Sequence, residues 1–416
     1  MPNCGEGGTS QDACQWLGTA WPFDRELSMA FLRHVIFIGG YDPKGGKRVY
    51  VEQKKQASLY AERFGKKINI SDVDKSQNLR LTWSLHNPQD DVTTQFDLLQ
   101  WDDLVRQRWA RTDAQVVREA LASLWEFVST GQIVQMWRLS RPLVYAALLP
   151  YTLALLAMAL PMLAGGLSAL VLRMLGAQST LAWAIGAVVA SLSAALAYRE
   201  LRKVPVTWFL RVVAFARHYA HETDQQPQEL FYRERIRAWT QELVSNLATS
   251  HADEILIVGY SAGSIIATGL LPELSRTLPS EQRSKLALLT LGNCIPVTAA
   301  SPAAHATRQD LKDIAAQNHF WVDITSPTDW GSIHGIDDAS RYAQMPASPF
   351  RKQISPRLHT LFTPTSYEAL RKDKYRVHQQ YLLCTELLGD DPQAYDYLML
   401  ICGSLSLQQR YASPAP

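Results

Sequence analysis

The sequence predicts an α/β protein with a hydrophobic helical hairpin inserted into its chain. Two observations support this prediction. Short apolar runs alternate with longer helical patterns on both sides of the chain's centre, which favours a mostly parallel sheet flanked by helices. Near the centre lie two long stretches without charged residues. With 416 residues, the chain is long enough for one large domain or two smaller ones.

The elements are predicted in the following order. Before the uncharged stretches, strands are expected at residues 34–39, 66–71 and 79–86, and helices at 49–64 and 113–130. After them, we expect a helix at 228–249, a strand–turn–helix unit at 254–274, strands at 285–291, 319–326 and 357–363, and helices at 303–318, 366–372 and 374–389. The chain divides into a mobile N-terminal segment (1–30), a first part of the α/β domain (31–140), the hairpin (141–200) and a second part (201–416).

The two uncharged stretches have the length of membrane-spanning helices. Between Arg141 and Arg173 there are 31 residues without Asp, Glu, Lys or Arg, and 25 more follow before Arg199. A helix needs about 20 apolar residues to cross a bilayer core of roughly 30 Å. Soluble helices normally carry a polar face, and these stretches have none. We therefore predict a membrane hairpin, which could span the bilayer or re-enter without reaching its far side. The alternative is a buried helical pair in a soluble cap.

Basic residues around the hairpin predict its orientation. They are Arg138 and Arg141 before it, Arg173 in its loop, and Arg199, Arg202 and Lys203 after it. Because basic residues stay on the cytoplasmic side, both large flanks are expected in the cytoplasm, anchored to a bacterial inner membrane by two spans. Residues 206–221 are apolar with basic residues at intervals, which fits either a helix on the membrane surface or an ordinary packed helix.

Composition excludes several classes of protein. A net charge of +2 argues against a general nucleic-acid binder, which needs a basic surface. Five scattered cysteines without a CxxC pair argue against a disulfide framework. The N-terminus lacks the apolar run of a secretory signal. Two uncharged spans also make a transporter a poor match, because transport paths usually need polar residues inside the membrane.

Residues 259–263, GYSAG, fit the G-x-S-x-G pattern of a nucleophilic serine on a tight turn from strand to helix. An apolar strand, ILIV, precedes the pattern and an apolar helix follows it, which is the context that the motif requires. Ser261 is therefore the predicted nucleophile. The amide of Ala262 begins the helix and is predicted to stabilise a developing oxyanion. The alternative is a turn without chemistry.

A second oxyanion donor is expected after the strand HVIFI, where the chain continues as Gly39-Gly40-Tyr41-Asp42. Glycines let backbone amides approach a substrate closely. By position, the amide of Tyr41 is the first choice and that of Gly40 the second. The alternative is a plain glycine turn.

The serine needs a general base and an acid that orients it, and in G-x-S-x-G enzymes both follow the serine. We choose His378 over His334 and His359 because it follows the last expected strand at the start of a helix. For the acid we prefer Asp329, just past the strand 319–326, over Asp323 inside it. Two further acids, Asp337 and Asp338, are expected to be solvated loop charges.

These motifs resemble the α/β-hydrolase superfamily, with Ser261, Asp329 and His378 in its chain order. The whole chain, hairpin included, also resembles poorly characterised bacterial membrane-anchored α/β hydrolases through GGYDPKG, GYSAG, SPTDW and RVHQQYL. The resemblance implies a mostly parallel eight-stranded sheet, no metal and no cofactor. The central insertion departs from the superfamily's pattern.

Together, these features predict a membrane-anchored serine hydrolase that resembles an esterase or lipase. Its expected partners are the lipid bilayer and an acyl ester or other lipid-like substrate, with no nucleic acid. Acyltransferase and thioesterase chemistry would use the same three residues. A catalytically idle membrane adaptor is the alternative from a different class.

Overall fold

The computed structural model contains one eight-stranded sheet. It describes residues 30–110, 112–201, 206–222, 231–389, 391 and 393–412; the predicted mobile segment therefore lies outside the described residues except for Ala30, as do Arg202 and Lys203. The strands are β1 (Phe31–Ile38), β2 (Asn69–Ile70), β3 (Arg80–Asn87), β4 (Val92–Leu99), β5 (Glu254–Tyr260), β6 (Leu286–Leu291), β7 (Phe320–Ile324) and β8 (Arg351–Ile354).

The spatial order of the strands is β2-β3-β4-β1-β5-β6-β7-β8. Strand β3 pairs antiparallel with β2 and with β4, and all other neighbours pair parallel. The predicted α/β class with a mostly parallel, eight-stranded sheet is confirmed. Strands β1 and β5 lie side by side although the hairpin separates them in the chain, so both sides of the sequence build the same sheet.

Helices cover both faces of the sheet. They are α1 (Lys47–Phe64), α2 (Asp102–Arg108), α3 (Asp113–Ser129), α4 (Gln132–Leu139), α5 (Arg141–Met174), α6 (Ser179–Leu201), α7 (Val206–Ala220), α8 (Phe231–Leu247), α9 (Gly263–Thr277), α10 (Ser280–Ser284), α11 (Ile295–Ala299), α12 (His305–Ala316), α13 (Asp338–Ala343), α14 (Pro364–Lys372), α15 (Lys374–Gln379), α16 (Tyr397–Cys402) and α17 (Leu407–Tyr411). In the described part of the chain, short 3-10 turns occupy Leu358–Thr360 and Gln380–Leu382.

The second half of strand β1, residues 35–38, is apolar on both of its faces. Successive side chains of a strand point to opposite faces of the sheet. Ile36 and Ile38 pack into the core under α7, α8, α9 and α12, whereas Val35 and Phe37 pack into the core under α1, α14 and α16. Both faces are covered, so these four residues are all apolar. The buried polar residues before them, Arg33 and His34, instead pair with Glu254 and Asp97.

Two expectations about strands were wrong. Strand β4 was not predicted, because VTTQFDLL mixes polar with apolar residues; its Asp97 is buried and accepts hydrogen bonds from Arg80 and Thr82. The last strand was placed at 357–363, where the structure has a 3-10 turn instead. The actual edge strand is β8, whose sequence RKQI is too polar to stand out as a strand.

Helices α5 and α6 form the predicted hairpin, and both are long and apolar enough to cross a membrane. They pack closely at two glycines. A Cβ atom added to Gly165 would lie 2.5 Å from the carbonyl oxygen of Gly186, so only glycine permits this contact. At its start, α5 instead packs on the α/β body, because Leu143 and Val144 are buried against Met136 and Ile333.

Helix α7, for which a surface position on the membrane was one of two expectations, is a packed helix. Its Phe215, Ala216 and Tyr219 are buried in the main core. Apolar side chains that would suit a lipid surface are thus used inside the protein. Helix α7, the element described next after the hairpin, therefore belongs to the body that carries the sheet.

Candidate active site

The GYSAG turn has the backbone geometry that its glycines suggest. Strand β5 ends at Tyr260, α9 begins at Gly263, and Ser261 between them has a φ of 55°. This left-handed conformation costs a residue with a side chain about 1–3 kcal/mol, so the surrounding structure must impose it.

Small residues on either side make the turn possible. A Cβ atom added at Gly259 would lie 2.7 Å from the Cα atom of Ser264. At Gly263, it would overlap the carbonyl oxygen of Ile38. The strand, the turn and the following helix therefore fit together only with glycine at both places. The serine is held 4% exposed at the carboxyl end of a central strand.

His378 lies beside this serine. It belongs to α15, and its Nε2 atom is 2.8 Å from Ser261 Oγ. Its Nδ1 atom is 2.8 Å from Asp329 Oδ2. Because a carboxylate can only accept, Nδ1 carries the proton and Nε2 is free to accept from the hydroxyl. The hydroxyl of Tyr260 donates to the His378 carbonyl at 3.1 Å. This bond ties the backbone of His378 to the end of β5.

Asp329 is held in the turn after β7 by four donors. Besides His378, the amide of Gly331 and the hydroxyl of Ser332 donate to it at 2.8 Å, and the hydroxyl of Tyr381 donates at 3.1 Å. The carboxylate is 3% exposed. This set of donors satisfies a buried negative charge and leaves the carboxylate little freedom to rotate.

The electrostatic interaction between Asp329 and His378 favours a charged aspartate and a protonated histidine. Burial favours neutral Asp329, but the charge and hydrogen bond of His378 and the donors at Gly331 and Ser332 outweigh it and lower the carboxyl pKa. Burial also disfavours protonated His378, but the charge of Asp329 and its hydrogen bond outweigh that effect and raise the imidazole pKa. The aspartate thus stabilises an imidazolium at this position.

The other candidate acids lie elsewhere. Asp323 points from β7 to the hydroxyl of Thr290 at 2.6 Å, and burial raises its pKa to about 7. The expectation that Asp337 and Asp338 are solvated loop charges was wrong. Asp337 caps α13 and pairs with Arg351 at 3.0 Å, while Asp338 is 1% exposed.

The two rejected histidines make no hydrogen bond with Ser261 among the described residues. His334 Nδ1 is instead 3.3 Å from the hydroxyl of Thr325. His359 is an exposed residue of the 3-10 turn at Leu358–Thr360 rather than of a strand. Of the three histidines considered, the structure brings only His378 to Ser261.

The loop that carries Gly40 and Tyr41 and the start of α9 both adjoin Ser261. A Cβ atom added at Gly40 would be 3.6 Å from Ser261 Oγ, so the backbone of this loop passes close to the serine. Ala262 follows the serine directly at the start of α9. Among the described residues, no acceptor takes a hydrogen bond from the amides of Tyr41 and Ala262. Both amides remain available to a substrate oxygen.

Two neighbours of the site were not assigned a role from the sequence. Tyr381 supports Asp329, and it occurs in the RVHQQYL segment that carries His378. Cys294 lies with its Sγ atom 3.9 Å from Ser261 Oγ, and burial raises its thiol pKa to about 12. A thiol with this pKa stays protonated, so the cysteine is a packing residue of the site and not a second nucleophile.

Residues of α7 and α15 meet beside the loop that carries Tyr41. The indole of Trp208 donates to the carbonyl of Tyr41 at 3.1 Å and packs edge-on against Tyr375. Close by, the ammonium group of Lys374 lies over the ring of Trp330 at 4.9 Å. Trp208 therefore links α7, the helix described next after the hairpin, to the loop that carries Tyr41.

Neither a cluster of metal ligands in the described residues nor a similar known protein indicates the function of this site. Within the described ranges, no group of three or more His, Cys, Asp or Glu could hold a metal ion. Comparison of the chain with protein-family models, curated proteins and solved structures gave no match. The function must therefore be argued from the geometry of the site itself.

Proposed function

We propose that this protein is a membrane-anchored serine hydrolase of the α/β-hydrolase fold that cleaves acyl esters. The observation that carries the proposal is the buried line of hydrogen bonds from Ser261 through His378 to Asp329, with both links at 2.8 Å. A serine in a left-handed turn, a base within reach of its hydroxyl and an acid that orients the base are the parts that acyl transfer requires.

The first half of the reaction forms an acyl-enzyme. Ser261 Oγ attacks the ester carbonyl while its proton passes to His378 Nε2, and Asp329 stabilises the imidazolium. The amides of Ala262 and Tyr41 bind the oxyanion. When the carbon–oxygen bond to the leaving group breaks, His378 gives its proton to the departing alkoxide.

The second half releases the acid. Water attacks the acyl carbonyl and loses a proton to His378 Nε2. The bond between the acyl carbon and Ser261 Oγ then breaks, and the histidine returns the proton to the serine. No group beyond these side chains and amides is needed to balance either half.

The hairpin supports the assignment to a membrane. Side chains along α5 and α6 are apolar and largely uncovered, for example Met162 at 72% and Leu192 at 68% exposure. Uncovered apolar surface on this scale needs a lipid or protein partner. With basic residues concentrated at the hairpin's base, we place both flanks in the cytoplasm of a bacterium and the hairpin in its inner membrane.

A fluorophosphonate probe tests the proposed nucleophile. It should label the wild-type protein in membrane extracts and fail to label Ser261→Ala. Ser245→Ala, an exposed serine of α8, is the matched control and should label like the wild type. Wild-type protein that is folded yet unlabelled would point to a catalytically idle adaptor instead.

A further inference from the structure

A mainly apolar cavity lies at the root of the hairpin, apart from the serine. Its walls come mainly from α3, α4, α5, α7 and α11, and the cavity is partly open to solvent. The apolar walls include Leu124, Phe127, Met136, Leu148 and Val213.

Two buried polar groups in this cavity have no partner among the described residues. They are the hydroxyl of Ser123 and the Nε2 atom of Gln132, on residues that are 4% and 6% exposed. Leaving a buried polar group unmet costs about 1–3 kcal/mol. The only charged residues in the lining, Glu126 and Arg217, already pair with each other at 2.8 Å. The cavity therefore suits a molecule with a long apolar part and an uncharged hydrogen-bonding oxygen.

Helix α11 connects this cavity to the candidate active site. Cys294, at the start of the helix, is 3.9 Å from Ser261 Oγ. One turn later, Val297 lines the cavity, and its amide donates to the Cys294 carbonyl at 3.1 Å. Helix α7 makes a second connection, because Trp208 contacts Tyr41 and the next residue, Phe209, lines the cavity.

The cavity is also next to the proposed bilayer. Tyr151 lines it from α5, the helix that continues into the hairpin, and its hydroxyl donates to the Ala120 carbonyl of α3 at 2.9 Å. The opposite face of α3 is apolar and exposed at helical spacing, through Val117, Leu121, Trp125 and Val128. A helix with one face on the cavity and an apolar face outside is suited to the membrane surface.

We propose that this cavity binds the long alkyl chain of an ester-type lipid whose carbonyl reacts at Ser261. The chain lies against the apolar walls, and an oxygen of the same molecule accepts hydrogen bonds from Ser123 and Gln132. This inference rests on the proposed hydrolase function and specifies its substrate class. Substrate would enter from the bilayer beside α3 and α5.

Chain-length preference tests the proposal. The rates of labelling by an ethyl and a hexadecyl fluorophosphonate are compared in detergent-solubilised full-length protein. Val213→Trp fills the cavity from α7 and should lower the ratio of long-chain to short-chain labelling on the order of tenfold or more. Leu124→Trp, from the opposite wall, should do the same. Val51→Trp, an exposed position of α1, is the matched control and should leave the ratio unchanged.

Crosslinking in the wild-type chain provides a test that does not depend on the folding of variants. A long-chain fluorophosphonate with a diazirine near its end is bound to Ser261 and then irradiated. Crosslinks should map to residues 123–151 or 209–217. Crosslinks confined to other segments, or an unchanged labelling ratio in both tryptophan variants, would overturn the chain site but leave the hydrolase. Absence of labelling by the short probe as well would remove the hydrolase and, with it, this inference.

Discussion

At the scale of single residues, two buried aspartates that are close in the sequence, Asp323 and Asp329, have pKa values shifted in opposite directions. Asp329 faces His378, which lowers its pKa, whereas burial among neutral hydroxyl and amide groups raises that of Asp323 to about 7. Only the first can stabilise an imidazolium. Their positions relative to β7 explain the difference, because Asp329 lies beyond the strand's carboxyl end and Asp323 lies within it.

This difference predicts opposite outcomes for the same substitution. Asp329→Asn should reduce the rate of ester cleavage on the order of 10⁴-fold, because the histidine loses its orienting acceptor and its stabilised charge. Asp323→Asn is the matched control and should retain activity within roughly severalfold. Steady-state hydrolysis of a soluble ester checks both. Equal losses would show that the acid had been assigned wrongly.

The pH dependence of the reaction should reflect the interaction between His378 and Asp329. The base must be neutral to accept a proton, so activity falls as pH drops through the pKa of His378. Asp329 raises that pKa above the ordinary value of about 6.5, so the acid limb of kcat/KM should have its midpoint above that value. In the residual activity of Asp329→Asn, the midpoint should move to lower pH. A limb that stays in place would exclude coupling between the two groups.

At the scale of secondary-structure elements, the hairpin depends on contact between two glycines. Gly165 and Gly186 lie backbone to backbone, while the adjacent Gly166 has open space where its Cβ atom would be. Glycine inside a helix lowers stability by about 0.5–1 kcal/mol relative to alanine. Close packing of the two helices offsets this loss at Gly165, whereas no contact among the described residues offsets it at Gly166.

These neighbouring glycines make a matched pair of variants. Gly165→Leu should force α5 and α6 apart and lower stability by about 1–3 kcal/mol, as overpacking does. Gly166→Leu should leave stability unchanged or slightly raised. Thermal unfolding in detergent measures both. Equal effects of the two substitutions would contradict the tight hairpin.

Several elements could be predicted from the sequence because their physical signal is local. The GYSAG turn is one, since the two glycines and the flanking apolar runs each reflect a steric requirement within a few residues. The uncharged runs of α5 and α6 are another. Strand β4 was missed because its polar residues are satisfied by distant partners, such as Arg80 for Asp97. Strand β8 was missed because it is polar. As an edge strand it is only half buried, so it does not need an apolar sequence.

The candidate site was predictable only in part. The order of serine, acid and histidine limited the choice, but the preference for Asp329 over Asp323 depended on where β7 ends. Nothing local to Ser123 or Gln132 indicates the cavity, because its walls come from five helices that the fold brings together. Cavities formed in this way have no signature in one stretch of sequence.

At the scale of the whole molecule, the hairpin is an insertion in the crossover from β4 to β5. Residues near Leu155 and Leu196 lie on neighbouring helices, because α5 and α6 run antiparallel through the Gly165–Gly186 contact. The outer hairpin can therefore be removed without stretching the chain. The root, with Leu143 and Val144 in the body, must stay.

A shortened chain separates membrane attachment from catalysis. Joining Leu155 to Leu196 through a short Gly/Ser linker should give a folded protein that still reacts with a short-chain fluorophosphonate. Carbonate extraction of membranes should leave the full chain in the pellet and release the shortened one. A shortened chain that remains in the pellet would show that the outer hairpin is not the anchor.

The most direct measurement for the whole account is the trapping of the acyl-enzyme. The protein is mixed with an activated p-nitrophenyl ester, quenched in acid within the first turnover and digested for mass spectrometry. We predict one acyl group on Ser261, and none in Ser261→Ala. An acyl group on Cys294, or hydrolysis without any adduct on the serine, would contradict the proposed mechanism.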